Sequence, residues 1–187
     1  MGRIWIAGIA GGIAMFIWGA VSHIVLPLGT MGISRIPNED FVVAAMKGSI
    51  EKPGFYFFPS MDMKKSTPEE QKEWAARYAA GPTGILVYQP TGQPPMSPRM
   101  MGTEVATNIV AALIADFLVS WTTAGFGGRV LFVALLGLFS WITISVPYWN
   151  WYGFPGAFTL SEGIEQLVGG LAAGFVIAAI LPKRRAA

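Results

Sequence analysis

Four apolar stretches, each long enough to cross a bilayer, alternate with polar segments along this chain. The first runs from Ile4 to Leu28 and is broken at Pro27. The second covers about Glu104 to Gly125. The third is Val130 to Val146, ending before Pro147, and the fourth is about Phe158 to Leu181, ending before Pro182. At a rise of ~1.5 Å per residue, about 17–25 residues cross ~30 Å of hydrocarbon. The pattern predicts an all-α membrane protein, a four-helix transmembrane bundle with spans within 1–28 and over 104–125, 130–146 and 158–181. The first run is read as a retained signal anchor, because its apolar core is too long for a cleaved signal peptide.

Residues 29–103 separate the first two spans, too many for a bare connector. Asn38 is the expected N-cap of a short helix, Phe41 to Met46. Gly54 to Phe58, bounded by Pro59, reads as a strand. Thr67-Pro68-Glu69-Glu70 is a helix start, with a Thr cap, Pro at the first position and Glu three residues after the Thr. That helix should stop at Gly81-Pro82, before a second strand over Gly84 to Tyr88 that pairs with the first. Gln89 to Pro98 is Pro-rich and expected to be extended. The segment reads as a small α+β cap, too thin to be stable alone. It is expected to rest on the ends of the spans, or to offer Tyr56, Phe57 and Phe58 to a partner or the membrane surface.

Composition agrees with the pattern. Charged residues make up 13% of the chain, against ~25% in soluble domains, and mean hydropathy is +0.50. The net charge of +2 is dispersed or gathered at helix ends, which argues against nucleic acid. The absence of Cys excludes disulfides, thiolate metal sites and iron–sulfur clusters. Arg3, Arg129 and Lys183-Arg184-Arg185 flank the spans on one side, whereas Pro147 to Ala157 has no Lys or Arg. By the positive-inside rule both termini and a Gly127-Gly128-Arg129 turn face the cytoplasm of a bacterial-type membrane, and 29–103 is extracytoplasmic.

Gly8 and Gly12 form a GxxxG pair, and Gly170, Gly174 and Ala178 repeat every four residues. Such faces let helix backbones approach closely, either within the bundle or at a seam with a second subunit. Trp149, Trp151, Tyr152 and Phe154 crowd the third link. They are expected to anchor it at the interface, with a lip for a quinone, lipid or pigment tail as the alternative.

The candidate chemistry is a set of polar residues in apolar surroundings. His23, the only histidine, lies near the outer end of the first span, Glu104 and Asn108 begin the second, and Glu162, Glu165 and Gln166 begin the fourth. Spacings of three and four place 104 with 108, and 162 with 165 and 166, on common helix faces. Three readings stay open. The acids face outer water, helped by helix dipoles or by Lys64, Lys65 and Arg99. Alternatively, His23, Glu104, Glu162 and Glu165 hold Zn²⁺, Mn²⁺ or Fe, although Glu162-x-x-Glu165 lacks the histidine of a di-iron motif. Or the group handles protons or substrate.

Asp116 is expected ~18 Å from the outer end, near mid-membrane, as a neutral acid bonded to Ser140 or Thr143. His23 with a methionine is a formal haem ligand pair. Ser22 and His23, as neighbours, are not expected to project together. No nucleophile triad, phosphate loop or internal repeat is visible. The leading expectation is a non-catalytic membrane subunit or assembly partner, with bound lipid and with other membrane subunits or self-association as contacts. The alternatives are an oligomeric transporter or proton- and ion-handling protein using the intramembrane carboxylates, and a metal-dependent membrane enzyme.

Overall fold

The computed structural model describes residues 2–62 and 64–182, so Lys183, Arg184 and Arg185 of the expected basic tail lie outside the described residues. In chain order the elements are α1 (Gly2–Ala20), α2 (Glu39–Ser49), β1 (Gly54–Phe58), α3 (Pro68–Ala80), β2 (Gly84–Tyr88), α4 (Pro98–Ser120), α5 (Phe126–Tyr152) and α6 (Gly156–Ile180). The chain forms two compact units. One takes the residues up to Ile33 and those from Pro95 onward, and the other is Ser34–Pro94, a smaller segment than the expected 29–103. The fold is mostly helical, with a small two-stranded sheet. Among the described residues, Gly2–Val25, Pro98–Ser120, Phe126–Tyr152 and Gly156–Ile180 are long and apolar enough to cross a membrane.

The helix limits differ from the apolar runs wherever a cap outranks hydropathy. α4 begins six residues before Glu104, because the Ser97 side chain accepts from the Met100 N–H at 3.3 Å and Pro98 occupies the first turn. It ends at Ser120 rather than Gly125. The following turn is Trp121 to Gly125, and the expected turn residues Gly127, Gly128 and Arg129 are already helical, with the Arg129 N–H bonded to Gly125 O. α5 runs through Pro147, where the third span was expected to end. A proline removes one backbone bond, and the stop comes instead at Gly153. Gly153 is left-handed (φ 71°), and Phe154 N–H reaches back to Tyr148 O, as helix-ending glycines allow.

In the helical unit α4 packs on α1, α1 on α6, and α6 on α5, whereas α4 and α5 touch little. In order of contact the four helices run α4, α1, α6, α5, with a thin α4–α5 contact closing the bundle. Glycines set the spacing. A Cβ on Gly8 would meet Leu113 Cα at 2.9 Å, and one on Gly12 would overlap the Ile109 backbone, with Ile109 N at 2.7 Å. On the other side, a Cβ on Gly170 would lie 3.0 Å from Ala134 Cα, and one on Gly174 3.1 Å from Val130 Cα. Both small-residue faces are thus occupied within the chain itself. The buried core, including Ala7, Ala112, Val119, Val133 and Ile177, joins all four helices.

In the smaller unit β1 and β2 pair antiparallel, with Gly54 opposite Tyr88 and Phe58 opposite Gly84. The Thr67 capping box forms as its sequence predicts. Asn38 stands at the N-cap of α2 but is left-handed (φ 53°), and its side chain caps nothing; its backbone carbonyl accepts from Phe41 and Val42 instead. Strand alternation puts Tyr56 and Phe58 on one face and Phe57 with Phe55 on the other, so the three aromatics do not make one surface. Trp74 Nε1–H donates to Pro59 O at 2.9 Å and ties α3 to the end of β1.

Filling a tight α1–α4 contact tests the packing. Gly12→Val should lower the thermal midpoint of the purified chain by an amount equivalent to at least ~1–3 kcal/mol of overpacking. Gly102→Ala, at a helical site with nothing within 4 Å, should leave it unchanged or raise it. Equal midpoints for both variants would contradict the α1–α4 contact.

Candidate functional site

The polar residues of three helices converge on one cavity. After Ala20 the first helix loosens into a π-helical turn, Val21–Val25, closed by Leu26 N–H to Val21 O at 2.9 Å. This bond spans five residues and changes the angle between successive side chains, a device common at functional positions. Ser22 and His23, not expected to act together, are brought to one point. Ser22 Oγ lies 3.0 Å from His23 Nδ1, and both meet Glu165 Oε1 of α6. The His23 Nδ1–Glu165 Oε1 distance is 3.0 Å. Gly19 O stands 2.9 Å from Ser22 Oγ and 3.1 Å from His23 Nδ1. Ser22 is fully buried, the Glu165 side chain is 16% exposed and that of His23 is 53% exposed, so the knot joins the interior to the surface.

Glu104 and Asn108 of α4 line the same cavity, with Asn108 Nδ2–H donating to Glu104 Oε1 at 3.2 Å. Gln166 also lines it. The cavity measures about 370 Å³ and has apolar walls that include Met15, Phe16, Trp18, Met96 and Met101. Trp18 Nε1–H donates to Glu165 O at 3.2 Å, which fixes the indole between α1 and α6.

Two expected members stand apart. Glu162 is outside the lining, within electrostatic reach of His23 and Glu165. Neither it nor Glu104 sits in a first helical turn, where dipole stabilisation is concentrated, since each is six residues past its helix start. Among the described residues no group of three or more His, Asp or Glu side chains is arranged to hold a metal ion, so His23, Glu104, Glu162 and Glu165 do not form a ligand set.

Asp116 belongs to a different place. Because α4 starts and stops early, Asp116 lies four residues from its C-terminal end, ~6 Å by helix rise, and not midway along it. It is fully buried and neither carboxyl oxygen has a hydrogen-bond partner. The Thr143 hydroxyl instead donates to Phe139 O at 2.8 Å within its own helix. Arg129, read from sequence as a flanking charge, is 5% exposed and within electrostatic reach of Asp116. It donates from Nε to Ala124 O (3.0 Å), from Nη1 to Leu181 O (3.1 Å) and from Nη2 to Pro182 O (3.0 Å), binding the start of α5 to the end of α6.

The aromatic link is largely the last turn of α5. Trp149 and Trp151 are exposed, and Phe154 stacks on Tyr148 at 5.5 Å. Tyr148 also meets Tyr152 at 5.6 Å.

The chain matches no family model, no curated protein and no solved structure.

The two buried polar groups at the far end should respond oppositely. Asp116→Ala removes an unpartnered carboxyl whose burial costs about 1–3 kcal/mol, so the thermal midpoint should hold or rise. Arg129→Leu removes three carbonyl caps and should lower it clearly. A sharp fall for Asp116→Ala would show instead that the carboxyl serves as counter-ion to the buried Arg129 guanidinium.

Proposed function

We propose that this is a multi-pass membrane protein of a bacterial-type cytoplasmic membrane that handles protons or small cations through the cavity between α1, α4 and α6. The observation that carries the reading is the knot at Glu165. Ser22 Oγ and His23 Nδ1 both meet one carboxylate oxygen, with the imidazole 3.0 Å away. A proton passes between imidazole and carboxylate over that distance without movement of either backbone, and the exposed side of His23 offers an exit to solvent. The cavity has a second carboxylate, Glu104, and no Lys or Arg in its lining. Ionisable groups among apolar helices are a functional signature in membrane proteins.

The orientation is proposed on the same grounds as the sequence reading. Arg3 and Arg129 line one cleft with Leu181, some twenty residues along the first helix from His23. That distance is ~30 Å, one bilayer core. The basic end then faces the cytoplasm, and the cavity and Ser34–Pro94 lie toward the outside.

A second reading, a small non-catalytic subunit or assembly partner, draws on the thin contact between α4 and α5. α5 packs along α6 but little against α4, and Leu131, Leu135, Phe139 and Ile142 on it are exposed. Lipid covers such a face in a monomer, and a neighbouring subunit covers it in a complex.

Reconstitution tests the leading reading. Proteoliposomes holding the purified chain and an internal pH-sensitive dye should dissipate an imposed pH gradient faster than protein-free vesicles. Glu165→Gln should remove at least ~90% of that excess, about 1.4 kcal/mol in barrier terms. An excess rate that survives both Glu165→Gln and His23→Gln would contradict the proposal and leave the assembly reading in place.

A further inference from the structure

We infer that the cavity takes an amphipathic organic cation, a single positive charge carried on an aromatic or alkyl body. This rests on the reading of the cavity as the protein's functional site and adds the class of substrate. Charge is the first argument. Glu104 and Glu165 are the acids of the lining, His23 is its one basic side chain, and Lys and Arg are absent from it. The lining thus holds two carboxyl groups against one imidazole, an excess of acidic over basic side chains. Anions are therefore repelled, and a neutral ligand gives the carboxylates nothing to neutralise.

The walls supply the second argument. Inorganic cations want oxygen ligands in number, about six to eight for calcium and six for magnesium. Here much of the surround is Met15, Phe16, Trp18, Met96 and Met101, and the described acids form no metal-ligating group. Methionine side chains adapt to irregular apolar shapes. The Trp18 N–H is already committed to Glu165 O. What the indole retains for a ligand is its ring, and aromatic rings attract cations through their quadrupole. The residue that holds the indole is also the one that carries the central carboxylate, so the ring and the negative charge are fixed together.

Size is the third argument. A volume of about 370 Å³ is near the lower end of small-molecule sites, ~300–1,000 Å³, and suits a compact cation rather than a whole lipid. The same carboxylate that would neutralise the cation also meets His23, so cation and proton compete for Glu165. That competition is the elementary requirement for exchanging one against the other.

Equilibrium dialysis of the purified full chain in mild detergent, with radiolabelled tetraphenylphosphonium as probe, tests the inference. Saturable binding near one equivalent per chain is expected. Glu165→Gln and Glu104→Gln should each weaken it at least tenfold, and Trp18→Leu severalfold, with unchanged elution volumes. Neutral triphenylphosphine oxide should not compete. Absence of saturable binding, equal competition by the neutral compound, or indifference to both Glu variants would overturn the inference. Proton dissipation measured after reconstituting the same purified protein into vesicles separates the two claims. Dissipation without phosphonium binding sinks the substrate class alone, and loss of both sinks the proton-handling reading with it.

Discussion

The arrangement depends on backbone-to-backbone contact through glycine on both sides of the helical bundle. Gly8 and Gly12 let α1 lie directly on Leu113 and Ile109 of α4. Gly170 and Gly174 let α6 lie on Ala134 and Val130 of α5. In the bilayer proposed for these helices there would be little hydrophobic drive between them, so association would rest on van der Waals packing and on the few hydrogen bonds available. Close approach supplies the first. Trp18 to Glu165 O, Trp141 to Thr159 O at 2.7 Å and the Arg129 clamp supply the second. With α1 fixed between α4 and α6, the ends of these three helices converge, and their polar residues surround one cavity.

The two ends of the bundle are built differently. At the end holding Arg129, core side chains from all four helices meet, and the guanidinium satisfies carbonyls that helix ends would otherwise leave exposed. At the other end the first helix relaxes into a π-helical turn and the interior opens. A compact apolar base thus stands opposite a polar mouth.

Much of this was legible in the sequence, and the failures have identifiable causes. The existence of four long apolar helices followed from run length, and the Thr67 capping box and the pairing of the two strands followed from local signals. Counting residues puts His23, Glu104, Asn108, Glu162, Glu165 and Gln166 at one level, and all of these but Glu162 line the cavity. Helix limits were misjudged where Ser97 and Gly153 acted as caps, because hydropathy does not register caps. That error displaced Asp116 from the middle of its helix to near its end. Ser22 was set aside because neighbours on an α-helix diverge, and the π-helical turn that unites it with His23 has no plain sequence mark. The role of Arg129 was hidden for a related reason: two of its three partners are backbone carbonyls more than fifty residues away, which no side-chain motif advertises.

The close approach of α1 to α4 is the claim on which the cavity, its charges and its proposed ligand all depend. The chain has no native cysteine, so an introduced pair reports without interference. A Cβ on Gly11 would lie 3.5 Å from Ala112 Cβ, within the ~3.5–4.5 Å range of a disulfide. The decisive measurement is oxidative cross-linking of Gly11→Cys/Ala112→Cys in intact membranes, followed by mobility on a denaturing gel. The account predicts a reducible intramolecular bond that Gly11→Cys/Val110→Cys does not form, since Val110 is on an exposed face of α4. A free 11/112 pair, or equal cross-linking of both pairs, would contradict it.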